Sequence, residues 1–164
     1  MTLGLTLGDV TGIGPEVAGK ALARAVAEDD VTYVLIGDSP VVHHLCGCLG
    51  VEEALPDWSD RAIIPSRVYL HAPEPPLPPA LPPGDPAAAL AALAWLREAA
   101  RMALGGELDA LVTAPVNKEA ILRAGHPFVG QTEFLAALAG NPPHAMMLLG
   151  HDPGGRWLRV VLVT

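Results

Sequence analysis

Four stretches of this 164-residue sequence gather side chains able to do chemistry. The first is Gly8-Asp9-Val10-Thr11-Gly12-Ile13-Gly14-Pro15-Glu16. Glycines leading into a helix leave backbone N–H groups open to an anion, so this stretch reads either as a ligand-facing loop or as a structural turn. Its spacing is not GxGxxG, and no Gly-Lys-Ser/Thr closes it as a P-loop would. The second stretch holds His43, His44, Cys46 and Cys48. His44 and Cys48 share a helical face and could clamp a metal, but a structural site needs four ligands and no second pair follows, so packing and exposure are the plainer reading. The third is Thr113-Ala114-Pro115-Val116-Asn117-Lys118, a hydroxyl, an amide and an amine on a loop after an apolar run. Asn117 there is either a helix cap or a ligand contact, and Lys118 is a candidate substrate-binding amine. The fourth, Gly130-Gln131-Thr132-Glu133, sets Gln131 and Thr132 beside the free N–H groups of a helix start, which suits a carboxylate or phosphate. The plain alternative is a Thr132 N-cap with Glu133 in the first turn. His71, His126, His144 and His151 are scattered, and no Ser-His-Asp or Cys-His pairing follows from spacing.

These loops need elements to hold them. Leu3 to Leu7 reads as a strand, with a helix from Pro15 past Leu22 and Val26 to Glu28, since Pro15 suits a first turn and Glu16 the positive end of the dipole. Val31 to Ile36 is an apolar, β-branched strand, and Ser39-Pro40 opens a second helix. Ile63-Ile64 and Val68 to Leu70 read as short strands flanking Pro65. Residues 73 to 86 contain eight of the seventeen prolines, which excludes helix and central strand and predicts an extended surface connection. Asp85-Pro86 then caps a helix running to Leu104 and ended by Gly105-Gly106, and Ala110 to Thr113 is a further buried strand. Helices follow at 117 to 123 and 132 to 139. Met146 to Leu149 and Leu158 to Val163, parted by Asp152-Pro153-Gly154-Gly155, predict an antiparallel hairpin. The βαβα alternation argues for an α/β fold with a mostly parallel sheet and flanking helices.

Composition narrows the partners. Ten basic against eighteen acidic residues give a net charge of -8, with no cationic footprint for nucleic acid or an anionic membrane. No run reaches the ~18 apolar residues of a bilayer span, and the start lacks a basic region before an apolar one. Two cysteines two apart staple no secreted fold, so a cytoplasmic location is expected.

Taken in order, Gly8-Asp9-x-x-Gly12-Ile13-Gly14-Pro15-Glu16, Thr113-Ala114-Pro115-Val116-Asn117-Lys118, Ala124-Gly125-x-x-Phe128-x-Gly130-Gln131-Thr132-Glu133-Phe134 and Met146-Met147-Leu148 closely resemble the 4-hydroxythreonine-4-phosphate dehydrogenase family. The resemblance covers this whole sequence but only the family's amino-terminal half. It implies a fold similar to the isocitrate and isopropylmalate dehydrogenases, with residues 1–164 as the amino-terminal part of a two-domain enzyme that works as a homodimer. It implies NAD-dependent oxidation of 4-phosphooxy-L-threonine at its 3-hydroxyl and loss of carbon dioxide, giving 3-amino-2-oxopropyl phosphate on the way to pyridoxal phosphate. A divalent cation, Zn, Mg or Mn, would favour the alkoxide and then the enolate.

The family's histidine-threonine pair of substrate contacts falls on Gln131 and Thr132. A neutral amide in place of an imidazole keeps a hydrogen-bonding role there but not acid-base work. The family's three metal histidines match none of the histidines here, the first falling just after Thr164. The 164-residue chain is therefore expected to lack metal ligands, to be inactive alone, and to self-associate through its 145 to 163 hairpin. Two other readings stay open, a non-catalytic remnant that binds a phosphorylated ligand or another subunit, and a phosphate acyltransferase-like enzyme.

Overall fold

An apolar five-residue strand, β1 (Thr2–Thr6), lies at the centre of a parallel sheet completed by β2 (Thr32–Ile36), β3 (Val68–His71) and β4 (Ala110–Thr113), in the order β3-β2-β1-β4. The computed structural model describes residues 1–48 and 55–162, which divide into two compact units, Met1–Phe128 and Val129–Thr164. The sheet belongs to the first. Its registers are in phase, with Leu5 opposite both Leu35 and Val112, so all four carboxyl ends point one way.

Helices join the strands as the sequence predicts. α1 (Gly14–Glu28) carries Pro15 in its first turn and buries Ala18, Gly19 and Leu22. α2 (Ser39–Cys48) starts where the Asp38 carboxylate accepts from the Val41 amide at 3.0 Å. α3 (Pro86–Leu104) is capped by Asp85, which accepts from the Ala87 amide at 2.8 Å, and ends at Gly105. Its alanines let it lie close on its neighbours, and Trp95, Leu96 and Met102 are fully buried along it. With Leu7, Val34, Ile36 and Val42 these side chains form the interior. α4 (Lys118–Arg123) closes the unit, capped by Asn117 accepting from the Ala120 amide at 3.0 Å.

The second unit holds α5 (Gln131–Leu138) and an antiparallel hairpin of β5 (Met146–His151) and β6 (Trp157–Leu162), the predicted pairing turned at Asp152 to Arg156. Val163, the last residue of the expected second strand, lies outside the described residues.

Three expectations are corrected. Ile63 and Ile64 form no strand; they follow a single 3-10 turn at Trp58–Asp60, with both amides donating to the Asp60 carbonyl, and Ile63 is 82% exposed. Two β-branched residues beside Pro65 imitate a strand, but local hydrogen bonds to Asp60 win. β4 is not buried, because it is the edge of the sheet and leaves Val112 half exposed. Thr132 does not cap its helix. The N-cap is Gly130, which provides no side-chain bond, so Gln131 and Thr132 sit inside the first turn of α5 with Glu133.

Candidate functional site at the carboxyl end of the sheet

In an open α/β sheet, loops leaving neighbouring strands in opposite directions open a crevice at the strands' carboxyl ends. Here that point lies between β1, which leads toward β2 and β3, and β4 on its other side. The loop after β1 holds Gly8 to Ile13, and the loop after β4 holds Ala114 to Asn117. They touch directly: the Asp9 amide donates to the Pro115 carbonyl at 2.9 Å, and a Cβ at Gly8 would come 2.2 Å from that same oxygen. Gly8 also has φ +68°, so it is glycine for two independent reasons. Gly14 is constrained as well, since a Cβ there would meet the Leu7 carbonyl at 2.4 Å.

The glycine loop is largely closed on itself. Asp9 is 5% exposed, and its Oδ1 accepts from the Thr11 amide at 2.8 Å and the Thr11 hydroxyl at 2.7 Å. The Gly12 amide donates to the Asp9 carbonyl at 3.1 Å. With the Asp9, Thr11 and Gly12 amides engaged and a buried carboxylate among them, the loop is built as a turn and offers no phosphate cradle at those three amides.

A cavity of about 780 Å³ opens beside this loop, lined by Thr11 and Glu16, by Asp38 and His44 from the α2 region, and by Leu77 and Leu81 of the proline-rich segment. Among the described residues no lysine or arginine lines it to supply a cation for a phosphate. Glu16 faces it with its carboxyl held below the usual range by the Lys20 ammonium 2.5 Å away. Sequence reasoning, which opened the second helix at Ser39-Pro40, gave Asp38 no role: one oxygen caps α2 and the other accepts from the Leu77 amide at 2.7 Å, a contact across 39 positions that no local pattern announces.

Lys118 stands at the first position of α4, exposed and without an ion pair among the described residues. Its neighbour Asn117 is spent on the cap, the plainer of its two readings. Gln131 and Thr132 are half-buried in the first turn of α5. Lys118 thus belongs to the first unit, and Gln131 and Thr132 to the second. His43 and His44 are exposed on α2, Cys46 is half-buried with its thiol pushed up by burial, and the Cys48 side chain lies outside the described residues. Among the described residues no three His, Cys, Asp or Glu side chains come together as a metal would need. The described donor set therefore does not fit a catalytic divalent cation. No helix among the described residues is long and apolar enough to cross a membrane.

Comparison with known proteins gives a consistent result. A family model described as pyridoxal phosphate biosynthetic protein PdxA matches residues 30–164. A 4-hydroxythreonine-4-phosphate dehydrogenase of Desulfosudis oleivorans is 37% identical over 99% of this chain and 48% of its own length. One from Synechococcus is also 37% identical, over 99% of this chain and 46% of its own. Among solved structures, the 4-hydroxythreonine-4-phosphate dehydrogenase of Burkholderia phymatum superposes with a TM-score of 0.77 at 32% identity, covering 98% of this chain and 48% of that one. A terephthalate 1,2-cis-dihydrodiol dehydrogenase from Burkholderia xenovorans reaches 0.64 at 29% identity, covering 98% and 47%. The chain spans about half the length of the relatives it matches.

Proposed function

Because the chain belongs to the PdxA family of pyridoxal phosphate biosynthetic proteins, we propose that it supplies the amino-terminal half of an enzyme that oxidises and decarboxylates 4-phosphooxy-L-threonine with NAD. The observation that carries this is the match along 99% of the chain to relatives named for that dehydrogenase. In this reading Gln131 and Thr132 hold the phosphorylated substrate at the start of α5, where helix N–H groups favour an anion. Lys118, exposed at the start of α4 in the first unit, is a substrate-binding amine in its own right in this reading. A nicotinamide would supply the hydride acceptor and a divalent Zn, Mg or Mn ion would favour the alkoxide, but no three metal-binding side chains come together among the described residues of this chain. The setting is the cytoplasm.

We further propose that the working form is a homodimer or larger assembly of identical chains. The support is the hairpin: Met147, Leu148, Leu149, Trp157, Leu158 and Val161 are each about half exposed or more, on both faces of a two-stranded ribbon. Such ribbons are marginal alone, and so large an apolar surface is ordinarily covered.

The test is a chimera in which residues 1–164 replace the matching half of the Desulfosudis oleivorans enzyme. Metal-dependent NADH formation from 4-phosphooxy-L-threonine is the expected result. Thr132→Ala in that chimera should lower kcat/KM ~10-fold, the loss of one charge-assisted hydrogen bond. A folded chimera that oxidises only a cis-dihydrodiol would move the substrate toward that of the Burkholderia xenovorans neighbour. Acyl phosphate turnover with coenzyme A and no NADH would overturn the dehydrogenase reading. The 164-residue chain by itself is expected to give no NADH with any of the three metals.

A further inference from the structure

Residues 73 to 84 border the cavity with few backbone donors, because seven of these twelve positions are proline and have no N–H. Two of the five amides that remain are held by side chains from other parts of the cavity lining. The Leu77 amide donates to Asp38 Oδ2 at 2.7 Å, and the Gly84 amide donates to Thr11 Oγ1 at 2.9 Å. Both anchors are preset. Asp38 is 4% exposed and its other oxygen caps α2, while the Thr11 hydroxyl is aimed by its own bond to the Asp9 carboxylate. Arg123 adds a bond from its guanidinium to the Gly84 carbonyl at 3.2 Å. Gly84 has φ +73°, so the segment turns there on a residue that changes conformation at little cost. Leu77, Pro78, Pro79, Ala80 and Leu81 line the cavity.

From this arrangement we infer that residues 73–84 are a stiff strap latched over the cavity at two points, Asp38–Leu77 and Thr11–Gly84, and that it opens as one piece to admit a ligand. Prolines make the piece rigid, so releasing one latch loads the other instead of being absorbed in the middle. The Thr11 latch also links the strap to the glycine loop, and through the Asp9 amide to the loop after β4. Opening the strap therefore frees the Thr11 side chain at the same moment as it uncovers the cavity.

Amide hydrogen exchange on the 164-residue chain tests this. Leu77 and Gly84 should be protected, with protection factors that agree within about threefold, as for one cooperative opening. Thr11→Val keeps the shape and removes the hydroxyl, and should raise exchange at both amides about tenfold while β1 and β2 stay protected. Thr11→Ser should restore protection. Asp38→Asn, which presents a donor to one of two N–H groups, should likewise release both amides. If Asp38→Asn does not fold, the Thr11 pair decides alone. Unprotected amides in the unaltered chain, or a Thr11→Val effect confined to Gly84, would overturn the strap.

Discussion

Asp9 and Asp38 are about 5% exposed, and every partner their side-chain oxygens take lies inside the first unit. The hairpin of the second unit shows the reverse: Leu148, Leu149 and Trp157 point 56%, 57% and 63% of their surface at solvent, with strand pairing satisfied and side chains uncovered. In the first region polar groups are buried and answered locally. In the second, apolar groups wait on something else. The contrast teaches that the first unit holds its own loops in place, whereas the second pairs its two strands with each other and leaves their side chains uncovered.

The two tryptophans give the sharpest version of that contrast. Trp95→Ala should destabilise the first unit by about 3–5 kcal/mol in urea unfolding, because the ring is 1% exposed and nothing can fill its space. Trp157→Ala, in the second unit, should change the first unit's stability by under about 0.5 kcal/mol in the same experiment. Equal costs to the first unit would break the contrast between the two rings. Gly8→Ala comes next. It should cost about 2 kcal/mol or more by the same measurement, since a Cβ would press on the Pro115 carbonyl at a positive φ. A neutral result would show that the two loops do not meet.

Leu148 and Val160 face each other directly across the hairpin. Changing both to lysine should convert an assembly to monomer by size exclusion with light scattering, leaving first-unit stability within about 0.5 kcal/mol. If the unaltered chain is already a stable monomer, the comparison loses its second half. The smallest effect expected is a pH dependence. The Arg101 guanidinium, with help from His71, holds the Glu98 carboxyl at about 2 against an ordinary 4.5. Because the folded value is the lower one, the contribution is present above about pH 4.5 and is lost as the pH falls toward 2. Its size is at most about 1 kcal/mol for a partly solvated network, and Glu98→Gln should flatten the urea midpoint across that window.

Much of this was legible along the chain. The Asp85 cap, the alternation of strands and helices and the hairpin turn are local patterns, and each appears where the residues put it. Edge position is not local. Ala110 to Thr113 is as apolar as β2, and only the strand order reveals that one side of it faces outward. Thr132 misled because it is a good capping residue two positions too late, after a glycine with extended backbone that serves as the cap. The Asp38 and Thr11 latches span 39 and 73 positions, so no periodicity encodes them. The site residues divide the same way: the cap at Asn117 was one of two readings its position left open, whereas nothing in the spacing of Lys118, Gln131 and Thr132 states which unit each belongs to.

The central place of β1 carries a cost in time. Its partner on one side, β2, follows within some thirty residues, but on the other side β4 arrives far later, and the Thr2 amide bonds to Asp109 across a separation of 107 residues. At a synthesis rate of about 5–20 residues per second, β1 emerges roughly 5–20 seconds before β4 can pair with it. Through that interval one side of the nascent strand has bare N–H and C=O groups beside apolar side chains, an invitation to pair with a neighbouring chain. On a crowded polysome, then, the early life of this fold depends on whatever shields the flank of its first strand until α3 has been made and β4 follows it into the sheet.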